Sequence, residues 1–508
     1  MAPYRPRLRA DVTLQAEPDG GFALIDRVLN RGVGLDPVTL ALVHALDGRP
    51  LDEVLGGVEQ QGLPRADIET KFRQLARLNL LEDAGTDIVA RARALGSGGQ
   101  LPPLTLPEAR FACQASGGCC HGYTLGPLTS ADVARLQALD LSALVAGPYL
   151  DEKTTPAGKT RHYLATVPGD EHCVFLQKDN LCGIHARFGA AAKPNFCQLY
   201  PLQAVATLDG LKVYDNGECA SFSTSSRSGP LLADQVPELR PLLPAARFEL
   251  YHPVVMLTPG AQLDHGHFLR VTRALWELCG RGLGSAGDTV RAASALSRRF
   301  VEALRDYPLG PGQPDATLDA LVATDPAELY ATVARTPPTP RQLSRVALVA
   351  GILHESIEAK LADATFQGSL YRQFADAIQL LRRVGLARAQ AGRTLAEDDQ
   401  RVLAITWGDD VEAALRASLR YQLFSHRVLI DERMLPATLR LGIVHAVTIL
   451  GAKQSAASAR RGVVTLADFD RAHTMTLRIL RLPVPMGVLV AYEDDAFDVM
   501  DAAPALVG

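Results

Sequence analysis

Residues 111–120, FACQASGGCC, hold three of the chain's eight cysteines, and four more follow in CVFLQKDNLCGIH (173–185), FCQLYP (196–201) and at Cys219. Seven thiols, Cys113, Cys119, Cys120, Cys173, Cys182, Cys197 and Cys219, thus fall within about a fifth of the 508 residues, and Cys279 stands apart. Scattered cysteines would not crowd in this way. Two chemistries compete for such a cluster, disulfide bonds and metal binding, and the compartment decides between them. The first residues, MAPYRPRLRADVTLQAEPDGG, contain no apolar run of the kind an export signal needs. That predicts a cytoplasmic protein, and a reducing cytoplasm seldom holds structural disulfides. The cluster therefore points to metal, with all seven cysteines as candidate ligands.

Composition bounds the rest. At 508 residues the chain has room for two to four domains of roughly 150 residues each. Hydrophobic residues make up 47% and charged ones 21%, enough apolar material for packed cores and too little charge for a disordered chain. A net charge of −4 argues against a nucleic-acid partner held through phosphates. No apolar run reaches the ~18 residues of a membrane span.

Before the cysteines, 11–14 and 21–26 read as short strands joined across Pro18-Asp19-Gly20. Asp36-Pro37 then opens a helix carrying Leu40, Leu42, Val43 and Leu46. A second helix from about Leu51 carries Val54, Leu55 and Val58. A third from about Arg65 carries Ile68, Phe72, Leu75 and Leu78, with Leu80-Leu81 as a closing strand. This is a small winged-helix pattern, poor in basic residues on its first helices. The run from Arg7 to Glu82, above all LDPVTLALVHALDGRPLDEVL and LARLNLLED, resembles the PqqD-like peptide-binding domains. That resemblance implies a polypeptide partner held as an added strand on a sheet edge; the competing reading is an accessory domain without a ligand.

Residues 96–107, which open within LGSGGQLPP (95–103), read as a flexible linker. Beyond it, Gly117 and Gly118 let the backbone turn tightly before Cys119-Cys120, and Thr129-Ser130-Ala131-Asp132 caps a helix whose buried face is Val133, Leu136 and Leu139. Residues 141–170 read as loop with a hairpin, and Lys178-Asp179-Asn180 as a turn between Cys173 and Cys182. Taken together, FACQASGGCC, LTSADVARL, CVFLQKDNLCGIHARFG and CQLYPLQ resemble the YkgJ-type cysteine cluster domain, a zinc- or iron-chelating family. The family often has two further cysteines before its pair where this chain has only Cys113, so one ligand is missing or comes from elsewhere. His121, His172 and His185 are the nearest substitutes. Among longer members the chain is most similar to flagellin lysine N-methylase, through the leading F-x-C, the LCxIH and CxLYP elements and Glu218-Cys219. That similarity implies methyl transfer from S-adenosylmethionine to a protein lysine. Zinc usually takes paired C-x2-C knuckles, which are absent, whereas four thiolates from unrelated loops suit an iron–sulfur cluster such as [4Fe-4S]; zinc stays open as the alternative.

From 231 onwards the periodicity is helical: 271–278, 290–304, 343–361, 370–386, 411–429 and 435–450, and a last helix from the Thr465/Asp468 cap through Leu480. Pro308 to Pro314 and Pro337 to Pro340 break this series. LRYQLFSHRVL (419–429) resembles an element of the lysine N-methylase-like proteins. Gly282-x-Gly284-x-x-Gly287 follows a helix instead of a strand and reads as a loop. His354-Glu355 with Glu358 lacks the second histidine of a zinc-protease helix and reads as a solvated face. Asp470 and His473 share a helix face and read as surface polarity.

The expected architecture is mainly α, with a small α+β N-terminal winged-helix-like domain (1–95), the linker (96–107), a loop-rich cysteine-cluster domain (108–230) and a helical domain (231–508). The expected function is a metal- or iron–sulfur-binding protein, read either as a lysine N-methylase or as a non-catalytic chelator or thiol-based redox sensor.

Overall fold

The computed structural model of the chain describes residues 3–507 apart from 18–19, 29–30, 79, 83–100, 122–124, 155–159, 169–171, 208, 244–253, 259–260, 306–312, 362–368 and 426–433. It is mainly helical, with a small N-terminal sheet of three antiparallel strands. These are β1 (Val12–Ala16), β2 (Phe22–Asp26) and β3 (Arg31–Leu35), with β2 in the middle. The third strand was not expected, because its sequence RGVGL spaces its apolar residues with glycines. Helices α1 (Pro37–Ala45), α2 (Leu51–Glu59) and α3 (Arg65–Arg77) follow. The Asp36 carboxylate accepts from the Thr39 N–H at 2.8 Å, and Pro37 occupies the first turn, as the sequence signal required. Leu24, Leu42, Val54, Leu55, Ile68 and Phe72 close a core confined to this region. Beneath the sheet, the buried Arg9 guanidinium donates to Asp26 at 2.7 Å.

The G/S-rich part of the expected linker lies outside the described residues. Its remainder is packed: Leu101 and Leu106 are buried, and β4 (Pro103–Leu104) runs parallel to a strand about a hundred residues further on. Next come α4 (Ser130–Gln137) and the hairpin β5 (Leu150–Thr154) and β6 (Thr160–Leu164). Two short helices, α5 (Gly183–Phe188) and α6 (Asn195–Leu199), precede β7 (Leu202–Thr207) and β8 (Gly210–Asp215), whose sheet order is β4-β8-β7. Two more helices, α7 (Phe222–Ser225) and α8 (Leu232–Leu239), lead to the hairpin β9 (Val254–Thr258) and β10 (Ala261–Asp264).

The helical region comprises α9 (His265–Cys279), α10 (Ala286–Arg305), α11 (Gln313–Val322), α12 (Pro326–Arg335), α13 (Pro340–Leu361), α14 (Ser369–Ala389) and α15 (Glu397–Leu403). After the short strand β11 (Thr406–Trp407) come α16 (Asp409–Phe424) and α17 (Leu435–Ser458). Strand β12 (Val463–Val464) pairs with β11 ahead of α18 (Leu466–Ile479). The expected last helix is not the last: α19 (Pro483–Ala491) and α20 (Ala496–Ala502) follow it. Leu482-Pro483 restarts the chain, and the small residues of the final turns hid the helical stripe. No single helix among the described residues is long and apolar enough to cross a membrane.

Outside the N-terminal region the described residues form two cores. A small one gathers Leu125, Leu136, Leu164, Phe175 and Ile184. A large one takes in Leu101, Leu106, Leu202, Val213 and Phe222, and continues without interruption through the helices to Val507. The segment of the small core is thus inserted between β4 and β7 of the large one.

Candidate metal centre at the border of two cores

Cys119 and Cys120 lie on a single tight turn, 118–120, whose approach depends on the two preceding glycines. Gly117 adopts φ +69°, and a Cβ there would stand 3.1 Å from the Asn180 carbonyl oxygen. A Cβ on Gly118 would stand 2.7 Å from the Ala220 Cβ. The turn is wedged between the loop before Cys182 and the segment after Cys219. Cys173 is joined to it directly, its N–H donating to the Cys120 carbonyl at 2.8 Å.

The loop from Cys173 to Cys182 turns where the sequence placed it. Asn180 takes φ +65°, and the Asp179 carboxylate accepts from the Leu181 N–H at 3.0 Å. Cys182 then stands at the start of α5. Cys197 lies on α6, which is held by α4: Asp132 closes its own capping box with Thr129 and also accepts from the Asn195 N–H at 3.0 Å. Arg135 adds a hydrogen bond to the Lys193 carbonyl at 2.7 Å.

These elements bring Cys119, Cys120, Cys173, Cys182 and Cys197 to one cavity of ≈ 410 Å³ at the border of the two cores. Leu125, Leu164, Phe175 and Ile184 wall it from the small core; Leu202 and Leu243 close it from the large one. Its charged groups are Lys193, Glu218 and Arg481, of which Arg481 donates to the Glu218 carboxylate at 2.7 Å. Cys113, which is exposed, and Cys219 do not line the cavity; they neighbour one another and Cys119. Among the described residues no histidine lines it either, and His185 is exposed. Cys279, which stands apart in the sequence, is buried among the helices.

All eight cysteines are free thiols, and Cys119 Sγ lies 3.9 Å from Cys120 Sγ, well beyond the ~2.05 Å of a disulfide. Their electrostatics reflect crowding. The contact with Cys120 and burial push the Cys119 thiol up strongly. Cys120 is lowered by Cys119 but raised further by Cys173, burial and Cys182, to about 12. Burial raises Cys197, against the opposing pull of the Lys193 ammonium. Burial also raises Cys219 to about 12, although the Ser221 N–H donates to its sulfur at 3.5 Å. Crowded thiols in a low-dielectric seam resist ionisation until a cation replaces their protons. As they stand, no three His, Cys, Asp or Glu side chains among the described residues converge closely enough to enclose an ion. The donor set itself, five soft sulfurs on four separate elements, suits zinc or an iron–sulfur cluster.

A C-terminal helix also reaches the site, which the sequence did not reveal. On α18, Asp470 is 6% exposed and accepts from both the N–H and the hydroxyl of buried Ser223, each at 2.7 Å. The Thr474 hydroxyl donates to the Cys219 carbonyl at 3.2 Å, and Arg478 donates to the Gly118 carbonyl at 3.4 Å. His473, 1% exposed, is stacked between Phe222 and Phe469 with ring centroids 4.9 and 5.1 Å away, and its Nε2 meets the Ser418 hydroxyl at 2.6 Å. Asp470 and His473 are therefore buried and bonded to different elements, contrary to the surface reading. Three residues' spacing cannot tell a solvated face from one that docks on a distant loop.

Of the other two motifs, Gly282–Gly284 lies in the loop between α9 and α10, as its context suggested, with Gly287 in the first turn of α10. On α13, Glu355 is exposed as a solvated face requires, but the His354 side chain is only 19% exposed and lies 3.8 Å from Glu358. No family model matches this chain, and neither the curated proteins nor the solved structures contain a match to it.

Proposed function

We propose that the chain is a thiolate-bound metalloprotein whose centre is held by Cys119, Cys120, Cys173, Cys182 and Cys197, drawn from these five as the metal or iron–sulfur cluster requires. The observation that supports this reading is that five cysteines, from four separate elements, line one cavity. A cluster bound there supplies electron transfer or Lewis acidity. The chain's own residues set the site: Gly117 and Gly118 admit the turn, Asp132 fixes α6, and α18 braces the segments around Cys119 and Cys219. The likeness to lysine N-methylases extends the reading to methyl transfer from S-adenosylmethionine to a polypeptide. The winged-helix-like N-terminal unit supports that extension, since β1 and β3 are sheet edges on which a peptide strand can add.

Anaerobic purification with an absorption spectrum and iron, sulfide and zinc analysis tests the centre. Broad absorbance near ~400 nm with iron and sulfide is expected for a cluster. Single Cys→Ser changes among the five should lower metal content, and Cys279→Ser should leave it intact. Protein without stoichiometric metal after anaerobic reconstitution refutes the reading. Binding of S-adenosylmethionine by the reconstituted protein tests the methyl-transfer extension.

A further inference from the structure

A thiolate-held ion needs little space, since metal–sulfur bonds are about 2.3 Å long and structural sites are closed. The cavity here is ≈ 410 Å³, within the roughly 300–1,000 Å³ range of pockets that hold organic ligands. Its walls away from the sulfurs are mainly apolar, with Leu125, Leu164, Phe175, Ile184, Phe196 and Leu199, and Tyr200, Gln203 and Asn216 add polar groups. Its charges are uneven. Arg481 and Glu218 satisfy one another. Lys193 has no carboxylate or hydrogen-bond acceptor for its ammonium among the described residues, yet it lies close enough to Cys119 and Cys197 to act on both thiols. Its backbone is fixed, because the Lys193 carbonyl accepts from Arg135 and from Gln198, each at 2.7 Å. Among the described residues the cavity thus presents, at its sulfur end, one ammonium without a carboxylate partner on an anchored backbone, and a mainly hydrocarbon wall beyond it.

We propose that this cavity binds a small organic anion with an apolar body, its carboxylate paired with Lys193 beside the cysteines and its hydrocarbon part against Phe175, Ile184 and Leu164. This deepens the metal reading by naming the ligand class of the same site. A carboxylate gains a charge-assisted hydrogen bond from the ammonium, while the apolar body gains by leaving water. An ammonium ligand of the same shape meets a like charge and loses both advantages.

The test is calorimetric titration of the full-length, metal-loaded protein with octanoate, octanol and octylamine, on wild type, Lys193→Gln and Lys193→Arg, with metal content measured on each. Octanoate should bind one per chain, roughly tenfold or more tighter than octanol, with octylamine weakest. Lys193→Gln should erase the preference over octanol, and Lys193→Arg should keep it, all three proteins holding the same metal. A partly exposed Leu199→Trp change should weaken both octanoate and octanol by filling the space. Equal binding of octanoate and octanol by wild type overturns the proposal. So does undiminished octanoate binding by Lys193→Gln, or loss of metal in that variant, which would make Lys193 a charge partner of the thiolates. A wild-type protein that discriminates octanoate but holds no metal would sink the metal reading alone.

Discussion

Asp470 offers the sharpest test of how the C-terminal helix is tied to the cysteine region. Burial raises its carboxyl to about 6, against the opposing hydrogen bonds from Ser223. Between its ordinary value near 4 and about 6, the folded protein keeps a proton that the unfolded chain has released. Stability therefore falls as pH rises through this window, by about 3 kcal/mol at ~1.4 kcal/mol per pH unit, and stays low above it. Asp470→Asn removes the ionisation and keeps both contacts, because an amide oxygen can accept from the Ser223 N–H while its NH2 donates to the Ser223 hydroxyl. This variant should equal or exceed wild type at pH 7 and lose the decline between pH 4 and 6. Asp470→Ala leaves the buried N–H and hydroxyl of Ser223 unpaired and should cost about 2–4 kcal/mol. Guanidinium unfolding at several pH values, with hydrogen exchange at the Ser223 amide, measures both. If Asn at 470 destabilises as much as Ala at pH 7, or keeps the acid-range slope, the account of a strained, desolvated carboxylate is wrong.

Other outcomes follow from single sites. His473 is held neutral, its value pushed down to about 3 by burial; stability from this site is complete above pH 6.5 and lost as pH falls towards 3, and His473→Gln should flatten that acid limb in a pH series of melting temperatures. Gly118→Ala should cost about 1–3 kcal/mol and reduce metal content by pushing the 118–120 turn off Ala220. Gly56→Ala, in α2 with open space around it, should instead stabilise by up to about 1 kcal/mol in the same thermal assay, with metal unchanged.

Much of the fold was legible because local signals sufficed. The Asp36 and Thr129 caps and the Asn180 turn depend on neighbours within four residues, and they stand where the sequence placed them. The crowding of seven cysteines marked the region of the site, and the structure brings five of them to the cavity while setting Cys113 and Cys219 beside it. What the sequence hid is long-range. Arg481 and α18 join the site through packing across as many as 360 residues, as in the hydrogen bond of Arg478 to the Gly118 carbonyl, and no periodicity encodes that. The large core is likewise long-range: Leu202, Val213 and Phe222 share it with the helices that follow, and no local signal encodes that.

The parallel pairing of β4 with β8 matters for how the molecule assembles. Pro103–Leu104 meets Leu211–Lys212, so two residues of strand close a loop of about a hundred residues. Closing a floppy loop of that length costs about 4 kcal/mol of chain entropy, far more than so short a pairing returns. A loop compacted around Leu136, Phe175 and Ile184 would bring its ends together and lower that cost. On the proposed metal reading, sulfur ligands drawn from 119–120, 173, 182 and 197 would divide the loop into shorter rings, so that an ion captured early would act on the open chain as a cross-link does.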